Sequence, residues 1–252
     1  SYVFRRSICQ IPTNSMNKTF AEFTRHVEKD DYFSSVKGHF FQLKNYRRFP
    51  SDDEFTEAFI QRDVYNFNSR MYMFRKFENT GKKEFISVDN YTIEHVLPQN
   101  PNLSSEWQRD LGNDWKLIQE RYLHTLGNLT LTGYNSEYSD RPFSEKKSME
   151  GGFAQSPLRL NALIGLTDVW NEGAIKNRAN SLVQDAKKIW PSLGLSPLEI
   201  EKWSNKVEPE KQKSTYEEQD HEYLSRPHVK ELFEADDLRD LARRIDKSRP
   251  QT

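Results

Sequence analysis

Two stretches of the chain decide its fold: Tyr91-Thr92-Ile93-Glu94-His95-Val96-Leu97-Pro98-Gln99-Asn100 and Leu126-Gly127-Asn128-Leu129-Thr130-Leu131-Thr132-Gly133-Tyr134-Asn135. Residues 91–96 have the composition of a short strand, which Pro98 ends, and residues 129–132 alternate apolar and polar side chains as a strand does. Helical patterns fill the interval between them and resume after Pro142. The pattern predicts a two-strand ribbon with a helical insertion between its strands and a helix after it.

The rest of the chain is predicted to be mainly helical. Residues 1–50 place apolar residues at helical spacing after an extended start, and Ser51-Asp52-Asp53-Glu54 is a capping box that begins the next helix. Residues 158–190 are predicted to form helices whose core faces include Leu163 and Val169. Phe85 to Val88 has the composition of one more short strand.

These patterns divide the chain into three regions. Residues 1–85 are a helical lead-in region, and residues 86–191 hold the ribbon and its closing helices. Residues 192–252 are predicted to be a polar linker, at 204–222, and a C-terminal amphipathic helix from His228 to Ile245. The predicted fold class is therefore mainly α with a small β-ribbon.

The composition is that of a water-soluble globular protein. Of 252 residues, 35% are hydrophobic and 30% are charged, and the mean hydropathy is -0.91. No run of about 18 apolar residues occurs, so no membrane span is predicted. The single cysteine, Cys9, excludes an internal disulfide and a cysteine-based zinc site, which favours a cytoplasmic location. The first residues lack the apolar segment of a signal peptide, and numbering from Ser1 rather than from Met suggests a longer parent protein.

Charge is distributed unevenly along the chain, although the net charge is only -1. Residues 1–85 contain 15 Lys and Arg against 11 Asp and Glu, a net charge of +4. Residues 86–190 have a net charge of -2, and residues 191–252 have -3. A protein that grips DNA over a long footprint usually has a stronger basic excess, whereas a compact enzyme that contacts a few phosphates does not need one. Three basic pairs are candidates for solvated faces or for DNA-backbone contacts: Arg5-Arg6, Arg47-Arg48 and Arg75-Lys76.

The residues of the two stretches have the chemistry of a metal-dependent nuclease, which needs a base to deprotonate water and a divalent ion to hold phosphate oxygens. His95 suits the base, because its unperturbed pKa of about 6.5 lies near working pH. Glu94 is its strand neighbour, so the two side chains point to opposite faces unless a bulge or the strand's end brings them together. Asn128 and Asn135 supply neutral oxygen ligands of the kind that Mg²⁺ accepts.

Four motifs occur in a fixed order: Ile-Glu-His-Val-Leu-Pro-Gln at 93–99, Leu-Gly-Asn-Leu-Thr-Leu at 126–131, Asn135, and Pro-Phe-Ser-Glu-Lys at 142–146. In that order they resemble the HNH (His-Me finger) nuclease domain of GmrSD-type type IV restriction proteins. The flanks resemble that family too, from Ser1-Tyr2-Val3-Phe4-Arg5-Arg6 to Ile189-Trp190-Pro191. The resemblance covers roughly residues 1–191 and leaves residues 192–252 outside it.

The resemblance implies a ββα-metal (HNH/His-Me finger) core and a role for each of five residues. His95 would be the general base, and Asn128 would brace the loop and help to orient it. Glu94 and Asn135 would bind the divalent metal, which would be Mg²⁺ or Mn²⁺ rather than zinc, because Asn135 stands where many HNH enzymes have His. Lys146 would contact phosphate or stabilise charge in the transition state.

Some of these residues have structural alternatives. Asn128 could cap a turn, as Asn often does, and Lys146 could form an ordinary solvated pair with Lys147. His124, which lies two residues before Leu126, could approach the site or simply end a helix.

The resemblance implies the effector domain of a bacterial anti-phage restriction system, which nicks or cleaves DNA. An N-terminal ParB-like, nucleotide-hydrolysing sensor domain of the same protein would recognise the target. The target would be either glucosylated or otherwise modified phage DNA or host phosphorothioate marks, and the sequence leaves both open. Two other functions also stay open: a non-catalytic DNA- or partner-binding regulatory module, and an RNase of the same fold.

Overall fold

The two strands of the ribbon pair with each other. In this computed structural model, which describes residues 1–206, strand β1 (Thr92–His95) runs antiparallel to strand β2 (Leu129–Thr132). Ile93 lies opposite Leu131 and His95 lies opposite Leu129, whereas Glu94 lies opposite Thr130. Residues directly opposite each other share a face of an antiparallel pair. One face of the ribbon is therefore apolar apart from His95, and the other is polar.

Helices make up most of residues 1–206, as predicted. They are α1 (Tyr2–Ile8), α2 (Met16–Phe23), α3 (Tyr32–Gln42), α4 (Asp52–Gln61), α5 (Arg70–Asn79), α6 (Ser105–Leu111), α7 (Trp115–Tyr122), α8 (Asn135–Tyr138), α9 (Phe143–Ser148), α10 (Ala162–Leu166), α11 (Glu172–Ile189) and α12 (Pro197–Asn205). Short 3₁₀ turns occur at Asn45–Arg47, Phe153–Gln155 and Arg159–Asn161. The predicted helical insertion between the strands is α6 and α7, and the predicted helix after the ribbon is α9.

Side-chain caps begin several of these helices. Ser51 precedes α4, and its hydroxyl accepts a hydrogen bond from the Glu54 amide at 3.1 Å, as the capping box predicts. The Glu54 carboxylate does not complete the box, because it pairs with Arg48 instead. Asn171 caps α11 in the same way, by accepting from the Ala174 amide at 3.0 Å. Each cap satisfies one of the amides that a helix leaves free at its start.

The ribbon lies between two clusters of buried apolar side chains. The first cluster combines α1, α4, α5 and α11 with the apolar face of the ribbon, and its members include Phe4, Phe55, Phe59, Phe74, Leu129, Leu131, Val183 and Trp190. The second cluster combines the residues after β1 with α6 to α10, and its members include Val96, Leu97, Trp107, Tyr138, Phe143, Ile164 and Trp170. Large aromatic side chains supply much of both clusters, and each can bury roughly 150–250 Å².

Contacts between distant parts of the sequence join the ends of this unit. Phe4 stacks on Trp190 with ring centroids 3.7 Å apart and planes 14° from parallel. Residues 1–203 form one compact unit. The division of the chain at residues 85 and 191 stays a prediction. The predicted helix from His228 to Ile245, and all of the predicted linker beyond residue 206, lie outside the described residues.

Arg178 links α11 to the ribbon. Its side chain is buried, and one terminal nitrogen donates to the carbonyls of Leu126, Gly127 and Leu129 at 2.8–3.0 Å. Its other terminal nitrogen donates to the Leu160 carbonyl at 3.3 Å. Burial lowers the pKa of Arg178 to about 9. The entry of the chain into β2 is thus held by a side chain that lies about 50 residues later.

The predicted strand at Phe85 to Val88 is wrong. Those residues are irregular in the structure, and Phe85 is exposed. The side-chain amide of Asn79, at the end of α5, bonds both polar backbone groups of Ile86: it donates to the carbonyl at 2.9 Å and accepts from the amide at 2.7 Å. These two bonds satisfy the backbone of Ile86 in the way that a neighbouring strand would, and no strand pairing forms here.

Two other predictions need correction. Leu163 and Val169 were expected in the core, but the helical stretch is broken between α10 and α11, and both side chains are exposed. The Arg5-Arg6 pair is neither a solvated face nor a DNA contact, because both side chains are fully buried. Arg5 pairs with Asp52 and donates to the Trp190 carbonyl, whereas Arg6 donates to the Tyr46 and Pro12 carbonyls.

Within residues 1–206, no helix is long and apolar enough to cross a membrane.

Candidate active site

His95 is the last residue of β1, on the apolar face of the ribbon. Its side chain is 5% exposed, and its imidazole Nε2 lies 3.0 Å from Nδ1 of His124. The Tyr65 ring lies beside both histidines, with its centroid 4.6 Å from that of His95 and stacked on His124 at 5.2 Å. The candidate base is therefore enclosed by two aromatic rings that come from elsewhere in the chain.

His124 lies just after α7, in the turn that leads into β2. Its carbonyl accepts a hydrogen bond from the Val64 amide at 2.9 Å, which ties this turn to the segment after α4. Both alternatives for His124 therefore hold at once, because it follows the end of a helix and it also approaches the site. The same segment brings Asp63 near the histidine pair, where its carboxylate accepts two hydrogen bonds from Asn66.

The electrostatic surroundings of His95 favour the neutral imidazole. Burial lowers the pKa of His95 to about 3, and the nearby His124 and Lys146 add to the shift. The Asp63 carboxylate opposes it. Because that pKa lies far below neutrality, the imidazole is unprotonated at neutral pH and can accept a proton, but it is a weaker base than the unperturbed pKa near working pH predicted.

Glu94 and Lys146 form a buried ion pair on the other side of β1. Lys146 reaches from α9, its side chain is fully buried, and its Nζ lies 2.6 Å from Oε1 of Glu94. The same Nζ donates to the carbonyls of His95 and Val96 at 3.1 and 3.3 Å. The alternative of a solvated Lys146–Lys147 pair is therefore wrong for Lys146.

Burial acts on both members of this ion pair. It raises the pKa of Glu94, and the positive charge and hydrogen bond of Lys146 oppose that shift. It lowers the pKa of Lys146, and the carboxylate of Glu94 opposes that shift. Neither charge could remain buried at low cost without the other, since an isolated buried charge is strongly unfavourable.

Asn128 braces the loop that follows His95. Its Oδ1 accepts from the Leu97 amide at 2.7 Å, and its Nδ2 donates to the Leu97 and Leu123 carbonyls at 3.0 Å. The Trp170 indole nitrogen donates to the same Oδ1 at 3.2 Å. Asn128 is fully buried and contacts the loop backbone rather than the His95 ring. It fixes the direction in which the chain leaves β1.

Asn135 lies at the start of α8, against the outer edge of β1. Its Nδ2 donates to the Ile93 carbonyl at 2.9 Å and to the Thr92 hydroxyl at 3.1 Å. The Val96 amide bonds to the Asn128 carbonyl of the neighbouring segment, so by alternation the polar backbone groups of Ile93 and His95 point away from β2. Asn135 and Lys146 thus both cover carbonyls on the free edge of β1.

The five predicted site residues do not converge on one point. Glu94, Asn135 and Lys146 lie together at the polar face and outer edge of β1, a group we call the carboxylate side. His95 lies on the opposite face with His124 and Tyr65, a group we call the histidine side. The register of the ribbon is regular, so no bulge turns Glu94 and His95 towards each other. The end of β1 at His95 is the place where the two sides meet.

The carboxylate side has the donor chemistry that a hard divalent cation prefers. Glu94 supplies a carboxylate, and Asn135 keeps its Oδ1 available because its Nδ2 makes the contacts to β1. Mg²⁺ is commonly held by one or two protein oxygens together with water and substrate phosphate. Within residues 1–206, no group of three His, Cys, Asp or Glu side chains is placed to hold a metal ion. These two oxygen donors do not make a closed structural site, and Oε1 of Glu94 is already paired with Lys146.

A separate cavity of about 380 Å³ opens between α4, α7 and α11. Seven residues line it: Ile60, Gln61, Arg121, Tyr122, Thr125, Lys176 and Asn180. None of the five predicted site residues is among them. Its lining contains no buried base and no paired carboxylate. The ribbon therefore remains the candidate active site.

Sequence reasoning missed Tyr65 and Asp63. They lie about 30 residues before His95 in the sequence, between α4 and α5, where no motif marks them. The hydrogen bond between the Val64 amide and the His124 carbonyl ties this segment to the site. The sequence signal that could have pointed to them is weak, since an Asp-x-x-Asn turn such as Asp63 to Asn66 is common in loops.

Comparison with known proteins identifies the family of this chain. The model of the family described as GmrSD restriction endonucleases, C-terminal domain, matches residues 49–185. A search of curated proteins and a search of solved structures each found no match. The matched residues make up more than half of the chain and include all five predicted site residues, together with Tyr65 and His124. The chain therefore belongs to the family of GmrSD restriction endonuclease C-terminal domains.

Proposed function

We propose that this chain is a metal-dependent HNH endonuclease domain that nicks or cleaves DNA. The observation that carries the proposal is the placement of His95, a buried neutral imidazole at the end of β1 whose following loop is braced by Asn128. Both residues fall inside the matched region of a restriction endonuclease family. On this proposal the ribbon and the helices after it form a ββα-metal core.

His95 would act as the general base. Its neutral imidazole would take a proton from the water that attacks the phosphorus atom, a contribution of typically 10²- to 10⁴-fold in rate. The brace at Asn128 supports this role, because it fixes the backbone on which the ring is mounted. A ring whose position is set before substrate binds needs little reorganisation during the reaction.

Glu94 and Asn135 would hold the metal ion, and Mg²⁺ or Mn²⁺ fits their oxygen donors best. When bound there, the ion would supply positive charge to a non-bridging phosphate oxygen and to the leaving oxygen. Lys146 would act mainly by holding the Glu94 carboxylate in place, since its ammonium group is enclosed by three protein oxygens. The earlier prediction that Lys146 contacts phosphate directly stays a prediction and receives less support from this position.

The scissile phosphate would lie at the end of β1, where the carboxylate side and the histidine side meet. The whole system would be a cytoplasmic anti-phage restriction protein, with a ParB-like nucleotide-hydrolysing domain as sensor. Either modified phage DNA or phosphorothioate marks remain compatible with this effector domain. The family supports the role of an endonuclease effector and does not choose the target.

A supercoiled-plasmid assay tests the proposal. The wild-type chain, His95→Ala and His26→Ala are each incubated with Mg²⁺ or Mn²⁺, with EDTA as a control, and circular dichroism confirms that each variant is folded. We expect nicked or linear DNA from the wild type and from His26→Ala, and a loss of roughly 10²- to 10⁴-fold in rate for His95→Ala. His26 is a suitable control because it is a partly buried histidine that stacks on His39, in α3, and not at the ribbon.

Three results would count against the proposal. Cleavage by His95→Ala at the wild-type rate would show that His95 is not the base. Cleavage in EDTA would show that the reaction does not need a metal ion. Cleavage of an RNA substrate in place of DNA would favour the RNase alternative. If wild-type protein with its sensor domain binds DNA and cuts neither substrate with either metal, the chain is a binding module.

A further inference from the structure

The hydrogen bond between His95 and His124 imposes a chemical constraint on the candidate base. A neutral imidazole has one N–H donor and one lone-pair acceptor. The Nε2 of His95 is engaged by His124 Nδ1 at 3.0 Å. Within residues 1–206, the other ring nitrogen of His95, Nδ1, makes no hydrogen bond. One of the two ring nitrogens is therefore committed to the protein, and the other is left for a ligand.

The direction of the hydrogen bond decides whether His95 can be a base. If His124 donates, the proton of His95 must be on Nδ1, and the ring offers no lone pair to water. If His95 donates through Nε2–H, its Nδ1 carries the lone pair and can accept a proton. Only the second arrangement is compatible with the proposed function, so Nδ1 of His124 must be the acceptor.

The surroundings of His124 restrict the rotation of its ring. Its ring is stacked on Tyr65 with planes 13° from parallel, and its backbone carbonyl is tied to Val64. The ring therefore has little freedom to turn its Nδ1 away from His95. In general, which nitrogen of a functional histidine carries the proton is set by the hydrogen bond that the other nitrogen makes.

We propose that His124 is the positioning residue of the active site: its Nδ1 accepts the Nε2–H of His95 and thereby holds the Nδ1 lone pair of His95 towards the attacking water. This proposal rests on the proposed function of His95. His124 itself touches neither the water nor the phosphate. It acts by fixing the tautomer and the orientation of its neighbour.

Two substitutions separate a hydrogen-bonding role from a packing role. In His124→Asn, the amide oxygen stands the same number of bonds from the backbone as Nδ1, so it can still accept from His95, but the ring that stacks on Tyr65 is lost. In His124→Phe, the ring is kept and the acceptor is lost. If His124 acts through its hydrogen bond, His124→Asn should keep activity and His124→Phe should lose it.

The kinetic test compares these variants under single-turnover and saturating conditions. We expect His124→Phe to lower kcat on the order of 10²-fold, the cost of a misplaced reacting group, with KM for DNA changed less than threefold. We expect His124→Asn to stay within about tenfold of the wild type. The reverse order, with Phe active and Asn inactive, would overturn the proposal and show that His124 only packs. Equal activity of both variants with the wild type would overturn it as well.

A second measurement does not depend on cleavage. Long-range ¹H–¹⁵N NMR spectra identify which ring nitrogen of His95 carries the proton, and His95→Gln identifies its signals. We expect the Nε2–H tautomer in the wild type and in His124→Asn, and a shift towards Nδ1–H or a mixture in His124→Phe. An Nδ1–H tautomer in the wild type would contradict the proposal. If the wild-type protein with its sensor domain cuts no DNA, the proposed function fails, whereas the tautomer of His95 still decides the role of His124.

Discussion

At the residue scale, the Glu94–Lys146 pair shows how an apparently ordinary surface lysine becomes part of a buried network. The Lys146-Lys147 dipeptide is typical of a solvated helix face. In the fold, α9 packs on the ribbon with Lys146 inward, and Lys147 lies nearer the surface with its Nζ 2.8 Å from the Thr167 carbonyl. The pair links α9 to β1 and fixes the carboxylate that is the best candidate metal ligand.

Removing one partner of this pair should destabilise the fold. We expect Lys146→Met to lower the free energy of unfolding by about 3–5 kcal/mol, because it leaves the Glu94 carboxylate buried without a counter-charge. Glu94→Gln with Lys146→Met should recover much of that loss, since no uncompensated charge remains. Urea denaturation followed by tryptophan fluorescence measures these changes.

Lys147→Met is the matched control, because the neighbouring lysine is partly exposed and its ion pair with Asp168 is at the surface. Surface pairs contribute about 0–1 kcal/mol. A Lys146→Met protein as stable as Lys147→Met would show that the Glu94–Lys146 pair is not buried as described.

At the element scale, the ribbon and α11 approach each other so closely that the residue before Asn128 must be glycine. A Cβ on Gly127 would lie 2.4 Å from the Ile175 carbonyl oxygen and 2.8 Å from Ile175 Cγ2. Arg178, one turn further along α11, donates to the carbonyls around the same position. The glycine of the Leu-Gly-Asn motif therefore allows the ribbon to pack closely against α11. The asparagine bonds the backbone of the loop after β1.

Gly127→Ala should separate the ribbon from α11. We expect it to lower the free energy of unfolding by about 1–3 kcal/mol, the usual cost of overpacking. Gly133→Ala is the control, because an added Cβ there meets no atom within 4 Å, and a change below about 0.5 kcal/mol is expected. Thermal and urea denaturation of both variants give the comparison. Equal stability of the two alanine variants would mean that α11 moves aside at no cost.

At the scale of the whole molecule, the folded unit contains histidines that are buried in the neutral form. His39 on α3 is 5% exposed and packs against Phe23, His26 and Phe40. Burial lowers its pKa to about 4, with further contributions from His26 and Arg47, and Glu22 opposes the shift. Its Nε2 is buried without a hydrogen-bond partner among the described residues. Folding therefore disfavours protonation of this ring.

The sign of the resulting pH dependence follows from linkage. Between about pH 6.5 and pH 4 the unfolded chain binds a proton at His39 that the folded chain does not, so stability falls as the pH falls through this range. His39→Phe should remove this part of the acid destabilisation. We expect the stability difference between His39→Phe and the wild type to grow in favour of the variant below pH 6.5 and to level off below about pH 4.

Urea denaturation at a series of pH values measures this difference. The pKa of His95 is lowered as well. Because His95 is present in both proteins, its effect on the pH dependence of stability cancels in the comparison. Parallel stability curves for the wild type and His39→Phe would contradict a neutral, buried His39.

The sequence identified five of the residues proposed for the site and the kind of elements that carry them. Strand composition and alternation located β1 and β2, and the order of the motifs pointed to the family that the comparison confirmed. The cap at Ser51 was also predictable, because it depends only on residues within one helical turn.

Tertiary structure decided what each side chain touches. Phe85 to Val88 forms no strand, and the Asn79 side chain bonds the backbone of Ile86 instead. Lys146 was buried because α9 turned it inward, and Arg5 and Arg6 because several distant carbonyls surround them. The contact of His95 with Tyr65 and His124 joins segments about 30 residues apart on either side. Local propensity and spacing contain no information on such contacts, which arise only when the ribbon is packed between its two hydrophobic clusters.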